Sequence, residues 1–271
     1  MRPDAFARAT NVREKAEVFA KQGFERTSNG LLQLAEAIAK GQAIGSKDVT
    51  KILFTYRDEV HSKGNDSFLT LHDFIQRIVF AALETLRERY GDKLDELLPR
   101  IRSMNNAATI AGEAANLISR SNPSNKERFY GACMIYLWIT EGLFDEACRL
   151  LYALCKASIG QNTPLAALEK LSLRTIRVGM RQLTNAESET LFLGWEDNHL
   201  RNAIAHMHLE YDEATGKMRF IDGAYDRKLS LNEFSEYYHL TLGVSTVFLH
   251  IMMILRARDM AMATNPFQVD V

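Results

Sequence analysis

Apolar residues recur at three- and four-residue spacing along almost the whole chain, and strand-like alternation is nearly absent. That period lets an α-helix bury one face, whereas a pleated strand needs a period of two. Leu31, Leu34, Ala35 and Ile38 form one such stripe. Phe68, Leu71, Phe74, Ile75, Ile78, Val79, Ala82, Leu83 and Leu86 form a longer one. Five prolines in all interrupt the pattern, and glycines at 23, 30, 41, 45, 64 and 91 cut the first half into short and medium helices. The expected fold is mainly α, a helical bundle.

The most loop-like stretch is SRSNPSN, residues 119–125, polar throughout and carrying Pro123. It is the expected boundary between an N-terminal helical region, 1–122, and a second helical domain, 123–271. Asn125 is the expected cap of a long helix that runs to about Gly160. Glu141, Asp145 and Arg149 make an i, i+4, i+8 row on that helix. Such a row reads first as a solvated face with one acid–arginine pair, worth roughly 0.2–0.5 kcal/mol. Its functional alternative is that Glu141 or Asp145 orients a catalytic group on a neighbouring helix. A further helix is expected to begin near Ala186 and to carry Leu191, Phe192, Trp195 and Leu200. MHLEYD and KMRFID then alternate apolar and polar residues on either side of EATG, which predicts one β-hairpin with Gly216 at a positive-φ position. Ser230-Leu231-Asn232-Glu233 has the capping-box pattern and opens the last long helix.

At 46% hydrophobic and 25% charged residues, the chain has an ordinary globular composition. Its formal net charge of −1 gives no global basic field, so any binding of nucleic acid must come from a local patch. One candidate exists. Lys170, Arg174, Arg177 and Arg181 follow each other at spacings of 4, 3 and 4, a stripe that reads either as a solvated helix face or, since the row holds no acid, as a surface that contacts RNA phosphates. Cys133, Cys148 and Cys155 are odd in number and lie in apolar helical stretches, which fits reduced core thiols in a cytoplasmic protein rather than a zinc site. The N-terminal residues mix charges and contain no apolar run like a signal peptide's. Residues 237–255 lack Asp, Glu, Lys and Arg over nearly a membrane-spanning length. They also carry His239, Thr241, Ser245, Thr246 and His250, so a buried bundle helix is expected there and no membrane span.

Polar chemistry concentrates in HLRNAIAHMH, residues 199–208. At about 100° per residue, Asn202 and His206 share a helix face while Arg201 lies about 140° from His206. Taken alone, the spacing implies an Asp197–Arg201 pair and a helix-terminal histidine interacting with the dipole. His199 and His208 read as surface histidines, since a third metal ligand at a plausible spacing is missing.

Arg201, the polar Asn202 beside it, three small or apolar residues and His206 together resemble the R-polar-x3-H motif of the HEPN superfamily. The likeness extends over roughly 126–262 as an order of elements: long helix, basic helix, motif helix, final long helix. Met207 departs from the glycine that often follows the histidine, and Asp145-x3-Arg149 only approximates the E-x3-K-R element of some members. The resemblance implies a metal-independent endoribonuclease with no cofactor, active as a homodimer that brings two motifs into one cleft. It further implies a defence or toxin setting, with a regulatory protein or antitoxin as a partner. In that reading His206 is the acid/base, Arg201 stabilises the charge gathering on the phosphate, and Asn202 holds the phosphate or the imidazole. DNA, lacking the 2′-OH, is expected to be inert. The alternative is a non-catalytic HEPN-fold protein that binds RNA or a nucleotide, or acts as a scaffold.

Overall fold

The computed structural model describes residues 3–42, 44, 46–63, 66–86, 90–120, 122–188 and 197–262. The described residues are mainly helical with one small antiparallel sheet. The helices are α1 (Pro3–Lys21), α2 (Glu25–Ala39), α3 (Ser46–Ser62), α4 (Asp66–Leu86), α5 (Tyr90–Arg120), α6 (Asn125–Ile139), α7 (Asp145–Ser158), α8 (Leu165–Glu169), α9 (Leu173–Leu183), α10 (Asn198–Ala205) and α11 (Leu231–Met262). A π-helical turn, Thr140–Phe144, joins α6 to α7. The strands are β1 (Leu209–Asp212), β2 (Lys217–Asp222) and β3 (Tyr225–Leu229).

Packing divides the chain into two compact units, residues 1–72 with 247–271, and residues 73–246. This division does not coincide with a boundary at 119–125, because α5 on one side of that loop packs against α6, the π turn and α7 on the other.

In the first unit α1 lies along α2 and α2 against α3. Gly23, at φ 77°, ends α1 and turns the chain into α2. Buried Glu59 of α3 accepts the backbone N–H groups of Arg26 and Thr27, both at 2.8 Å, and so satisfies donors that the start of α2 leaves open. The predicted stripe Leu31, Leu34, Ala35 and Ile38 is buried here; on α4, which runs on into the second unit, Leu71 is buried in the first unit and Phe74, Ile75, Val79, Ala82 and Leu86 in the second. Buried His250 bonds the Tyr56 hydroxyl at 2.8 Å and packs among the rings of Phe19, Phe24 and Tyr56.

The second unit bears out the long helix from 125, which runs through the π turn to Gly160 at φ 80°. Its cap is Ser124 rather than Asn125. Ser124 and Glu127 form a capping box, the same S-x-x-E pattern that Ser230 and Glu233 form before α11. The expected hairpin is present with Gly216 at φ 65°, and a third strand extends it through the two-residue turn at Gly223, φ 62°. Gly at the first position of such a turn supplies the backbone twist a tight hairpin needs. All three cysteines are buried, and burial pushes the thiols of Cys133 and Cys155 up to about 12. Residues 231–257 form the one described helix that is long and apolar enough to cross a membrane, and 71% of its most apolar window is buried within the protein.

Candidate functional site

The motif helix owes its orientation to three apolar residues. Leu200, Ala203 and Ile204 of α10 are buried against Phe129, Cys133 and Tyr136 of α6, Met218 and Phe220 of β2, and Phe234 of α11. Burying a leucine- or isoleucine-sized side chain contributes about 1.5–3 kcal/mol, enough to fix the rotation of an eight-residue helix. With that face inward, a 100° advance per residue sends Asn198 and Arg201 out on one flank. His199, Asn202 and His206 emerge on the other.

The helix is shorter than the sequence suggests. Asp197 is its N-cap, accepting the N–H groups of His199 and Leu200 at 3.0 and 3.1 Å, so α10 begins at Asn198 and not near Ala186. Leu191, Phe192 and Trp195 lie outside the described residues. The expected Asp197–Arg201 pair gives way to this cap, and the second oxygen of Asp197 accepts the Tyr225 hydroxyl at 2.9 Å. At the other end His206 is the C-cap. Met207 follows at φ 57°, its N–H donating to Ile204 and that of His208 to Ala203, the pair of bonds that closes a helix in a left-handed turn. Methionine thus adopts the geometry that glycine usually supplies after the histidine. His206 is exposed, its ring 5.9 Å from that of His208.

On the first flank, Arg201 donates to Asn198 Oδ1 at 2.6 Å and lies 3.7 Å from the carboxylate of Asp145. Arg201 and Asp145 are both mostly buried, at 17% and 19% exposure. Asp145 starts α7 directly after the π turn, where one wider turn shifts the phase of the side chains that follow. The row Glu141, Asp145 and Arg149 is therefore not one solvated face: Asp145 orients Arg201, and Arg149 donates to the carbonyls of Leu168 and Leu171 just before α9.

Arg201 opens onto a cleft of about 620 Å³ lined also by Ser172, Arg174, Arg177, Val178, Arg181 and Asn198. Among the described residues, its wall brings four arginines together and includes no acidic residue. Such a concentration of one charge in a concave surface focuses potential on an anion. Ser172 caps α9, which starts at Leu173, so Lys170 sits at the end of the short α8 and off the helix that carries Arg174, Arg177 and Arg181. Lys170 is exposed and does not line the cleft. The row of four is in fact a row of three, completed by Arg201 from another helix.

On the second flank the partner is Asp222, the last residue of β2. Its Oδ2 lies 2.9 Å from His199 Nδ1 and accepts from Asn202 Nδ2 at 3.2 Å. The hydrogen bond from His199, then that from Asn202, holds the Asp222 carboxyl below the usual carboxylate range, and the nearby His206 acts in the same direction. His199 stacks on Tyr225 with ring centroids 5.2 Å apart. Burial, then the bond to Asp197, pushes the Tyr225 hydroxyl up to about 12. One chain thus keeps Arg201 and His206 apart, Arg201 in the arginine cleft and His206 at the helix end with Asn202 and Asp222 behind it. Among the described residues, no three or more His, Cys, Asp or Glu side chains gather as a metal-binding group.

No family model, curated protein or solved structure matches this chain. The HEPN resemblance therefore rests on Arg201, Asn202 and His206 and on the helices around them.

Asp222 and the dyad it makes with His199 are not apparent from the sequence. The signal present is Asp222-Gly223, a tight-turn dipeptide ending an alternating strand. It locates the end of β2 but not the side chains packed against it.

Proposed function

We propose that the protein is an endoribonuclease of HEPN type, binding RNA through the arginine cleft and cleaving by attack of a ribose 2′-OH on the adjacent phosphate. The observation that carries this reading is the meeting of Arg201 with Arg174, Arg177 and Arg181 in one cleft. Guanidinium groups stay protonated and offer paired donors, the match for phosphate oxygens and for the charge that builds on them in the transition state. His206 is the acid/base, an exposed imidazole held at the end of a capped helix. Because Arg201 and His206 leave α10 on different flanks, the working unit is a two-fold dimer in which His206 of one protomer meets the arginine cleft of its partner.

Purified protein with RNA in the presence of EDTA is the test. The wild type yields 2′,3′-cyclic phosphate ends, leaves DNA intact, and loses cleavage on His206→Ala with the fold unchanged. Cleavage that stops in EDTA and returns with added metal, or a folded His206→Ala protein of full activity, contradicts the assignment. The second reading is a non-catalytic RNA- or nucleotide-binding protein. It draws support from the engagement of Arg201 by Asp145 and Asn198, which suits a static anion site. Phosphate-dependent binding without cleavage would favour it.

A further inference from the structure

Asp222 meets the motif helix from outside the motif. Its Oδ2 is shared between His199 Nδ1 at 2.9 Å and Asn202 Nδ2 at 3.2 Å. An ionised carboxylate only accepts hydrogen bonds, so the His199 nitrogen facing it carries the hydrogen. In the neutral ring that leaves Nε2 with its lone pair free of hydrogen, the nitrogen able to take up a proton. The ring is held from a second direction by stacking on Tyr225, interplanar angle 16°, and the Tyr225 hydroxyl is fixed in turn by Asp197. Yet the His199 side chain remains 61% exposed. A histidine oriented on two sides and open on a third resembles a general base more than a packing residue.

We propose that Asp222 and His199 form a second proton-transfer dyad of the cleavage site, with Asp222 as the positioning residue and His199 as the base working opposite His206. The proposal rests on the ribonuclease reading. His199 and His206 lie seven residues apart, two helical turns along the same flank, with Asn202 between them. In the step, His199 Nε2 takes the 2′-OH proton as the 2′-oxygen bonds to phosphorus. The bond from phosphorus to the 5′-oxygen breaks, and the His206 imidazolium gives its proton to that departing oxygen. The products are a 2′,3′-cyclic phosphate and a 5′-hydroxyl. His199 ends protonated and His206 neutral, and exchange with water resets both. The other titratable and charged groups around this flank are Asp197 at the start of α10, His208 beyond its end, and Tyr225 and Arg227 of β3.

Two measurements test it together. Imidazole ¹⁵N spectra of the unliganded wild type at pH 8 show His199 protonated on Nδ1, and Asp222→Ala moves it toward the Nε2-protonated form. RNA cleavage by His199→Gln falls at least about 100-fold, within the range a positioned acid or base supplies. The residual rate loses the acidic limb of its pH profile, because the group that must be unprotonated has gone. Asp222→Ala lowers cleavage at least about tenfold, and Asp222→Glu, which keeps an acceptor-only carboxylate, recovers part of both readouts. Should Asp222→Ala fail to fold, His199→Gln carries the test alone. His199→Gln cleaving at the wild-type rate with both limbs intact overturns the proposal and leaves the ribonuclease reading standing. A His199 tautomer indifferent to Asp222→Ala also overturns it. A wild type that cleaves no RNA removes the ribonuclease reading, and the proposal falls with it whatever the tautomer.

Discussion

Met207 occupies a backbone region that costs an L-residue roughly 1–2 kcal/mol, and it does so at φ 57° with its side chain 64% exposed. Little packing compensates for that strain. Glycine would relieve it, while the extra freedom glycine gives the unfolded chain takes back about 0.4–1 kcal/mol. Met207→Gly is therefore expected to stabilise the protein by about 0.5–1 kcal/mol. Urea titration checks this as a higher midpoint at unchanged slope. His250 sets a different residue-scale expectation. Burial, followed by the charge of Lys63, depresses its pKa from 6.5 to about 3 in the folded protein. Between those values the unfolded chain holds a proton that the folded chain lacks, so stability rises with pH through this window. Going down from neutrality, the contribution is lost below about pH 6.5, at up to about 1.4 kcal/mol per pH unit, and levels off near pH 3. His250→Gln removes the group from the balance. Urea midpoints measured from pH 7 to pH 3.5 should fall less steeply in that variant than in the wild type.

Helix α9 presents its arginines because it packs closely on α7. A methyl group on Gly179 would come within 2.5 Å of the Tyr152 hydroxyl and 2.7 Å of its ring, and Tyr152 is itself buried. Gly179→Ala thus sets a gain of about 1 kcal/mol in helix propensity against an overpacking cost of about 1–3 kcal/mol. A net loss of up to about 2 kcal/mol is expected, read as a lower thermal midpoint, together with weaker RNA binding as Arg174 and Arg177 shift. Such element-level features are legible in the sequence wherever their cause is local. The stripes at 31–38 and 71–86 mark which helix faces are buried, Gly216 marks the hairpin turn, and Ser230 and Glu233 mark the start of α11. Ser124-x-x-Glu127 carries the same capping signal one residue ahead of Asn125, which is an equally good cap by residue type. The start of α10 at Asp197 depends on a cap that also answers to Tyr225 of β3, so apolar periodicity alone places it wrongly. Asp222 sits 23 residues beyond His199 and faces it only once β2 has docked on α10. No spacing rule expresses a contact of that kind.

At the scale of the whole molecule, a chain of net charge −1 concentrates four arginines in one cleft. Reversing charge at Arg174 and Arg177 should weaken RNA binding strongly. The dependence of log affinity on log salt should flatten by at least about 0.7 for each phosphate that the variant no longer neutralises. Unchanged affinity and slope would make α9 a solvated face. The arginine cleft and the flank that carries His206 belong to one chain but open on opposite sides of one short helix, so two protomers are expected to complete each other's site. Mixing Arg201→Ala protein with His206→Ala protein, each inactive alone, tests it most directly. A mixed dimer keeps one site with both Arg201 and His206 intact. Free exchange of subunits makes half of the dimers mixed, so RNA cleavage should return to about a quarter of the wild-type level. A mixture that exchanges subunits yet stays as inactive as its parents would rule out a site shared between protomers.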